Sequence, residues 1–592
     1  MGKKAHNSNN PETTDAKPLW QRSVLPLGLI GGMLFYLAQP PVAWGLLAWI
    51  SPVPWLLLVK REKLPGKRPY RGLWFCGFLM WLVTVQWLRL AHPSNHLALL
   101  LLATYLGTYL PVFVGLTRVA HDRLGMPLWR AAPIVWTGLE LIRAHLATGF
   151  MMGSLAHTQV KFPVVLQIAD LAGEYGVTFL IVLVGGAIAD ALPARGLAVN
   201  SSHAAEPQAV GVRWKALQPI ALVMVLVAIY DLLSIPVDSE NGEPQTVALI
   251  QGDAQATWKF DPDRKQRIMQ ELLNLSWEAK SRAEKEGRSV DLVIWPETAY
   301  RESLFSFEEG FDPPDDFLAM PVEKFVSLTR NDLKGLATAW EAGLLFGIDR
   351  RHVSPSAETT RGEDASDETV SSEIDPFEVE SWNSVVFVDR AGEVQGTYDK
   401  MHLVPYGEYT PFSSWFPYPD GFTPLTGGVT AGEGPQSFEF ESVRYSPTVC
   451  YEKAVPHLMR WQFSELAEQG KAPDILVNVT NDAWYWGSAE LDMHLACGIL
   501  RAVELRTPML IAGNRGLSAH IDAAGNVIAV TERNQSTFLL AQVKPRNPEN
   551  GSYQTVYSRW GDWLPTACLV CCVVFATVGW AERKGTSPRE PA

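Results

Sequence analysis

The chain is 592 residues long, more than one ordinary domain holds, so at least two domains are expected. Its 50 Lys and Arg residues against 63 Asp and Glu residues give a formal net charge of −13. This balance excludes a surface built to bind nucleic acid, and no nucleic-acid partner is expected. The mean hydropathy of +0.01 is an average over two kinds of region, since long apolar runs near both ends of the chain flank a central region of ordinary charge density.

Eight apolar windows approach the length of about 20 residues that a membrane-spanning helix needs. They lie at residues 23–38, 41–59, 72–90, 97–117, 131–149, 166–192, 216–236 and 563–581. The fifth and sixth windows are less clean, because the fifth carries Glu140 and Arg143 and the sixth carries Asp170 and Glu174. Such groups either face the interior of a helix bundle or are exposed to water at the membrane interface, and the sequence leaves both interpretations open.

Lys and Arg in short loops predict the orientation. They are frequent in the N-terminal tail, in loops 60–71 and 118–130 and in the C-terminal tail, whereas loop 91–96 has none. Eight spans place all four basic segments in the cytoplasm, and the first apolar run has no cleavage site typical of a signal peptide. The predicted division is a tail at 1–22, seven spans within 23–236, an extracytoplasmic domain at 237–562, a span at 563–581 and a tail at 582–592.

From Thr246 onward, short β-type runs alternate with amphipathic helices, which predicts a layered α/β fold. Residues 354–380 are acidic, rich in Ser and Thr and poor in large apolar side chains, so we predict a disordered insertion there. Strands are predicted at 246–251, 290–295, 344–348, 385–388, 445–450, 475–479, 509–512 and 518–521, and helices at 264–286 and 492–504.

The six cysteines fall into two groups, and neither forms an evident disulfide framework. Cys450 and Cys497 belong to the soluble region. The other four lie in apolar runs, where we interpret them as small packing residues rather than metal ligands, because no His or acid lies near them: Cys76, Cys568, Cys571 and Cys572.

Three short stretches carry candidate chemistry. The sequence WPET at 295–298 displays Glu297 at the end of a predicted strand. The sequence YDKMHLVPYGEY at 398–409 places Lys400 and Glu408 in one loop. In the sequence TVCYE at 448–452, Cys450 follows an apolar run and lies two residues before Glu452.

A cysteine reacts as its thiolate, and a neighbouring ammonium lowers the pKa of the thiol. A neighbouring carboxylate can take the thiol proton and return it to a leaving group. If Glu297, Lys400 and Cys450 meet in one pocket, they form a site for acyl transfer. Each also has a structural alternative, which the spacing leaves open: an acid at a helix N-terminus, a surface cation and a small core residue, respectively.

Together the three stretches resemble the nitrilase superfamily, which uses Glu, Lys and Cys in this chain order on an αββα sandwich. Over roughly residues 24–580 the chain resembles, more closely, the apolipoprotein N-acyltransferase family. Further stretches that carry this resemblance are WTGLELIR at 136–143, QIADLAGEYG at 167–176, KMHLVPYGEYTPF at 400–412, VNVTNDAWYWGS at 477–488 and LRAVELRTPML at 500–510.

The resemblance implies a multi-pass α-helical membrane domain of about eight spans joined to an αββα nitrilase-like domain. Glu297 would be the general base and Cys450 the nucleophile that becomes a thioester. Lys400 would stabilise the oxyanion together with a backbone N–H near Tyr451. The supporting residues implied are Glu408, Tyr451 and Glu452, and the residues implied at the substrate entrance or in an apolar lid are Trp258, Trp484, Tyr485 and Trp486.

The implied reaction moves a fatty acyl chain from a phospholipid to the N-terminal amine of a diacylglyceryl apolipoprotein, at the outer face of a bacterial inner membrane. No cofactor or metal is expected, and we expect a monomer. GFMMGS at 149–154 and GNRG at 513–516 depart from the family pattern, which leaves substrate selectivity open. Two alternatives are a membrane-tethered amidase or nitrilase acting on a small amide and a non-catalytic membrane scaffold.

Overall fold

The computed structural model describes residues 22–193, 213–234, 243–256, 262–311, 313, 317–318, 320–356, 377–410, 428–545 and 554–585. These residues form a bundle of apolar helices and a two-sheet sandwich packed against one end of it. The last helix of the chain returns to the bundle after the sandwich is complete.

Prolines divide the bundle into short helices, and five of its helices have a proline in the first turn. The helices are α1 (Leu25–Ala38), α2 (Val53–Val59), α3 (Pro69–Thr84), α4 (Asn95–Gly107), α5 (Tyr109–Asp122), α6 (Leu128–His145), α7 (Pro163–Leu166), α8 (Ala169–Ala172), α9 (Glu174–Ala191), α10 (Gln218–Leu233) and α16 (Trp563–Gly585).

Among the described residues, four helices are long and apolar enough to cross a membrane: Asn95–Asp122, Glu174–Ala191, Trp214–Leu233 and Trp563–Ala581. The apolar segments Leu25–Ala38, Gly45–Val59 and Pro163–Ala172 are shorter. The structure therefore confirms an apolar helical region, but it does not establish eight spans. The window predicted at 166–192 is not one helix, because the chain turns at Gly173, where φ is +66°.

The four charged residues predicted within the spans lie in the interior. Glu140 and Arg143 are buried and pair with each other at 3.1 Å. Asp170 and Glu174 are also buried, and their partners are arginines of the sandwich. Of the two readings that the sequence left open, the interior one is therefore correct.

Small residues bring the helices of the bundle into close contact, as is common in membrane proteins. A Cβ added to Gly77 would lie 2.7 Å from the carbonyl oxygen of Gly107. One added to Gly138 would lie 2.9 Å from the backbone of Cys568 and the sulfur of Cys572. The interpretation of these two cysteines as packing residues is thereby confirmed.

The two ends of the bundle differ. At one end, Lys60 Nζ donates to the carbonyl oxygens of Ala189 and Leu192, at 2.7 and 2.6 Å, and the adjoining loops are the basic ones. At the other end, the ring of His145 stacks on His457 of the sandwich, with centroids 4.2 Å apart. The sandwich thus lies at the end of the bundle opposite the basic loops 60–71 and 118–130.

The sandwich consists of two mixed six-stranded sheets. The first has the order β12-β1-β2-β3-β4-β5 and the second the order β11-β10-β9-β8-β7-β6. The strands are β1 (Gln245–Gln251), β2 (Leu292–Phe307), β3 (Gly343–Pro355), β4 (Phe377–Val388), β5 (Val394–Asp399), β6 (Phe438–Phe440), β7 (Val443–Val449), β8 (Ile475–Asn481), β9 (Met509–Asn514), β10 (Ala519–Ile521), β11 (Val527–Val530) and β12 (Thr537–Val543).

Helices cover both outer faces, so the predicted αββα layering is observed. Helices α11 (Pro262–Lys285) and α12 (Val322–Trp340) pack on the first sheet. Helices α13 (Pro456–Glu468) and α14 (Glu490–Leu505) pack on the second, and α15 (Val556–Trp560) follows the sandwich. Helix α14 is buried along almost its whole length, because the helix bundle covers its other side.

All predicted strands and helices are present, but the sequence missed several elements, including α12, α13, β5, β6, β11 and β12. The predicted insertion at 354–380 was drawn too wide. Ser354 and Pro355 pair with Glu378 and Phe377 at the ends of β3 and β4, so strand pairing continues into both flanks. Residues 357–376 of that prediction lie outside the described part of the chain.

Candidate active site

The three candidate catalytic residues converge at one edge of the sandwich. Glu297 lies in β2 where the pairing with β3 is irregular, Lys400 directly follows β5, and Cys450 directly follows β7. The site thus forms where the irregular part of β2 meets the carboxyl ends of β5 and β7. Glu297 is thus not an acid at a helix N-terminus.

Lys400 is the central cation of the site and is not a surface residue, since only 1% of it is exposed. Its Nζ donates to Glu408 at 2.8 Å and lies 3.7 Å from Oε1 of Glu297. Although burial opposes ionisation, the carboxylates of Glu408 and Glu297 raise the pKa of Lys400 above the ordinary value. The group is therefore an ammonium held between two glutamates.

Two asparagines that the sequence did not single out fix the carboxylate of Glu297. The side-chain amide of Asn383 donates to Oε1 at 2.8 Å, and the backbone N–H of Asn481 donates to Oε2, also at 2.8 Å. The amide of Asn383 also donates to Glu408 at 3.0 Å, so it bridges both glutamates. Asn481 belongs to the stretch VNVTNDAWYWGS, whereas nothing in the sequence marks the strand residue Asn383.

Cys450 occupies a left-handed backbone conformation with φ of +53°, at the start of the 3₁₀ helix Cys450–Ala454. A non-glycine residue in this region is uncommon and persists only where its surroundings enforce it. The turn carries the cysteine from the end of β7 into the pocket that holds Glu297 and Lys400, whose charges both act on its thiol.

The thiol of Cys450 is neutral at rest. Burial and the carboxylate of Glu297 raise its pKa well above the ordinary value, although the ammonium of Lys400 acts in the opposite direction. The ammonium alone therefore does not keep the sulfur ionised. Burial also raises the pKa of Glu297, so this carboxylate is a stronger base than an exposed glutamate and can take the thiol proton during attack.

Glu452 joins the cysteine turn to the lysine loop. Its carboxylate accepts hydrogen bonds from the backbone N–H groups of Met401, His402 and Val449, at 2.7, 3.0 and 2.7 Å, and from the hydroxyl of Tyr398 at 2.8 Å. Because Glu452 is fully buried, these four donors satisfy a carboxylate that water cannot reach. It holds the two loops together and does not extend into the pocket.

The predicted aromatic residues are found in different places. The hydroxyl of Tyr451 lies 3.5 Å from the carbonyl oxygen of Gly149, so the residue after the cysteine reaches the helix bundle. Tyr485, in the 3₁₀ helix Asp482–Tyr485 that also contains Trp484, packs edge-to-face on Trp87 of the bundle at 5.2 Å. Trp486 is 65% exposed. Trp258 lies outside the described residues.

A buried ionic cluster joins the sandwich to the bundle close to this site. Nη2 of Arg501 in α14 lies 2.7 Å from Glu174 of α9 and 2.8 Å from Glu504. Nearby, Arg506 pairs with Asp170 at 2.7 Å. Three of these residues belong to the stretch LRAVELRTPML and two to QIADLAGEYG, so the two motifs bind each other across the interface.

In the described part of the chain, one group combines ligand types that could hold a metal ion: Asp482, Glu490 and His494, whose ligand atoms lie within 4.8 Å of one another. The ammonium of Lys453 lies close enough to act electrostatically on all three. His494 also already binds Asp482 at 3.1 Å. A cation is thus present among these carboxylates, and we assign no metal to them.

Two protein-family models match the chain. The model described as the apolipoprotein N-acyltransferase N-terminal domain matches residues 31–187, and the one described as carbon-nitrogen hydrolase matches residues 246–547. Among curated relatives, an apolipoprotein N-acyltransferase of Rhodopirellula baltica is 30% identical over 582 residues, covering 93% of this chain and 97% of the relative. Another, of Geobacter metallireducens, is 30% identical over 564 residues, covering 94% and 95%.

Solved structures similar to this chain include an amidase of the nitrilase superfamily from Nesterenkonia, with 16% identity and a TM-score of 0.32, covering 51% of this chain and 92% of the amidase. A carbon-nitrogen hydrolase from Helicobacter pylori has 14% identity and a TM-score of 0.33, covering 54% of this chain and 94% of that protein.

Proposed function

The chain belongs to the apolipoprotein N-acyltransferase family, and we propose that it transfers a fatty acyl chain from a phospholipid to the N-terminal α-amine of a diacylglyceryl apolipoprotein, through a thioester on Cys450. The observation that carries the mechanism is the pocket in which Glu297 lies 3.7 Å from the Lys400 ammonium and both act on the Cys450 thiol. A base, a cation and a nucleophile in one pocket are the groups that acyl transfer needs.

In the first half-reaction, the sulfur of Cys450 attacks the ester carbonyl of the phospholipid while Glu297 takes the thiol proton. The ammonium of Lys400 stabilises the oxyanion of the tetrahedral intermediate, and Glu408 keeps that ammonium in place. The carbon–oxygen bond then breaks. Glu297 returns the proton to the departing lysophospholipid oxygen, and the acyl chain stays on Cys450 as a thioester.

In the second half-reaction, the α-amine of the apolipoprotein attacks the thioester carbonyl. Glu297 accepts one amine proton, the carbon–sulfur bond breaks, and the proton passes to the departing sulfur of Cys450. The product is an amide, and the enzyme returns to its neutral thiol. The two substrates bind in turn, so the proposal predicts ping-pong kinetics.

The helix bundle supplies a candidate place for a lipid chain. A cavity of about 40 Å³ with a mostly apolar wall lies between α1, α3, α5 and α6, so it could take part of an acyl chain only if its walls moved apart. Its lining includes Phe35, Met80, Trp81, Phe113 and Trp136. Moving an acyl chain out of the hydrocarbon core of a bilayer is unfavourable unless the protein offers it a similarly apolar surface.

We propose further that all eight apolar windows lie in the membrane, with seven spans in 23–236 and one at 563–581, and that 237–562 is the catalytic domain. Its attachment at the end of the bundle away from the basic loops supports a periplasmic location at the bacterial inner membrane, because basic loops favour the cytoplasm. We expect the monomer to be the active unit.

The transfer itself is tested with the purified full-length protein, a phospholipid carrying an isotope-labelled acyl chain and a synthetic diacylglyceryl-cysteine peptide. We expect equal amounts of labelled N-acyl peptide and lysophospholipid, and neither product with Cys450→Ala. Hydrolysis of a small amide without transfer to the peptide would instead identify an amidase. Transfer that persists in Cys450→Ala would disprove the thioester.

A further inference from the structure

Two buried side chains contact the carbonyl oxygen of Cys450. The amide of Asn478 in β8 lies 3.2 Å from it, and Nε2 of His494 in α14 lies 3.1 Å from it. Nδ1 of His494 lies 3.1 Å from Oδ1 of Asp482, which also accepts a hydrogen bond from Thr480 at 2.8 Å. All four of these side chains are buried.

The peptide bond transmits this constraint to the pocket. The peptide group is planar and trans, so the carbonyl of Cys450 and the N–H of Tyr451 point in opposite directions. Fixing the carbonyl therefore aims the N–H. This N–H belongs to the first turn of the 3₁₀ helix Cys450–Ala454, where backbone donors lack partners within the helix. It is available to an oxyanion formed at the sulfur of Cys450.

The same contacts make that N–H a better donor. A carbonyl oxygen that accepts hydrogen bonds polarises its peptide group, which strengthens the hydrogen bond donated from the other side. Donors aimed in advance at the developing charge are the arrangement that lowers the barrier of acyl transfer. Asp482 and the carbonyl are both acceptors, so the ring of His494 donates to both only as the imidazolium, which the carboxylate of Asp482 stabilises. The amide of Asn478 donates to the carbonyl in either state of the ring.

We propose that His494, oriented by Asp482, is a positioning residue that aims the backbone N–H of Tyr451 at the oxyanion of the acyl-transfer reaction. This inference rests on the proposed reaction at Cys450. His494 does not touch the substrate, and it acts through the peptide group between Cys450 and Tyr451.

The position of α14 supports this role over that of a core histidine that merely fills space. Two turns along the helix, Arg501 binds Glu174 of the bundle at 2.7 Å, so α14 is fixed to the bundle at one point and to the cysteine turn at another. Both ring nitrogens of His494 face defined polar partners, Asp482 and the carbonyl of Cys450, rather than an apolar wall.

The test compares two variants that each keep one ring contact. In His494→Gln the amide nitrogen can take the place of Nε2 and still reach the carbonyl of Cys450. In His494→Asn the shorter amide can take only the place of Nδ1, so the contact with the carbonyl is lost. The two side chains are both neutral amides, which makes them a matched pair. Cys497→Ala, one turn away in α14 and equally buried, is the control for disturbance of the helix.

Two reactions of Cys450 are measured in the full-length protein. Acylation by p-nitrophenyl butyrate passes through an oxyanion, whereas alkylation by iodoacetamide does not. We expect Cys450 to be acylated at least about 10-fold more slowly in His494→Asn than in His494→Gln. Complete loss of one oxyanion donor lowers such a rate roughly 10²–10³-fold, and a misoriented donor lowers it less. Alkylation should stay within about twofold of wild type in both variants and in Cys497→Ala.

The inference is overturned if the two variants acylate at the same rate, or if acylation and alkylation fall together, because the latter identifies a purely structural role. If neither variant folds, the near-isosteric Asp482→Asn takes their place, and acylation must fall without loss of alkylation. The ester probe needs no lipid. A wild-type protein that reacts with it but not with phospholipid would therefore disprove the proposed function and leave this inference standing.

Discussion

The candidate active site and the interface between sandwich and bundle each bury one cation between two glutamates. In the active site the cation is Lys400, which lies 2.8 Å from Glu408 and 3.7 Å from Glu297. This arrangement is uneven. Glu408 holds the ammonium, whereas Glu297 keeps a raised pKa and acts on the thiol of Cys450.

At the interface the cation is Arg501, which is about equally far from both carboxylates, and Glu174 also lies 3.3 Å from Nε2 of His157. One guanidinium nitrogen lies 2.7 Å from Glu174 and 2.8 Å from Glu504. Neither carboxylate is left free to act as a base towards a substrate, so the cluster joins two parts of the molecule. The distances between the cation and the two carboxylates thus distinguish a catalytic cluster, in which one glutamate can act as a base, from a structural cluster that joins two parts of the protein.

The largest effect is expected from Glu297→Gln. The amide keeps the size of the side chain but cannot accept the thiol proton, so acylation of Cys450 should slow by roughly 10²–10⁴-fold. Single-turnover acylation measured by mass spectrometry checks this. The melting temperature should change little, and a variant that acylates at the wild-type rate would rule Glu297 out as the base.

At the interface, Arg501→Leu should act on stability instead. It leaves Glu504 buried without its cation and Glu174 with only His157, 3.3 Å away, and breaking such a pair costs about 3–5 kcal/mol. A lower thermal unfolding temperature in detergent is the expected result. Replacing all three residues by uncharged ones should restore most of the loss. If Arg501→Leu were as stable as wild type, the cluster would not join the domains.

A smaller loss of activity is expected from Glu408→Gln. The ammonium of Lys400 loses its charged partner at 2.8 Å and is held less firmly at the oxyanion. The rate constant for acylation should fall by roughly 10–100-fold while KM for the phospholipid changes little. A rise in KM alone would assign Glu408 to substrate binding.

The smallest effect concerns pH. Glu297 must be ionised to act, and its pKa is raised, so acylation should increase with pH through a value above the usual 4.3 or so for glutamate. Asn383 donates to this carboxylate and so favours its charged form. Asn383→Leu should therefore move the acid limb to higher pH, by about one unit. A pH–rate profile of acylation checks this, and a shift to lower pH would contradict it.

The sequence was informative where local patterns carry the structure. The apolar runs before Glu297 and Cys450 predicted strands β2 and β7 and marked the candidate residues that follow these runs, although β2 continues past Glu297 to Phe307. Lys400 was found only as part of a recognisable motif. Asn383 was not found, because an asparagine within a strand has no signature until its partners are known.

Long-range partners account for most of what the sequence could not give. Arg501 and Glu174 are 327 positions apart, and nothing local to either predicts that they meet. The pKa of the Cys450 thiol could not be judged from the sequence either, because burial, which the sequence does not reveal, outweighs the nearby ammonium. The long window at 166–192 hid a break at Gly173 that only the backbone conformation shows.

The central claim is that Cys450 carries the acyl chain between donor and acceptor. Its most direct test is the intact mass of the purified protein after incubation with a phospholipid of defined acyl chains and no acceptor. The account predicts a mass increase of one acyl group, located on Cys450, removed by a diacylglyceryl-cysteine peptide and absent in Cys450→Ala. An unchanged mass, or an adduct that persists in Cys450→Ala, would contradict it.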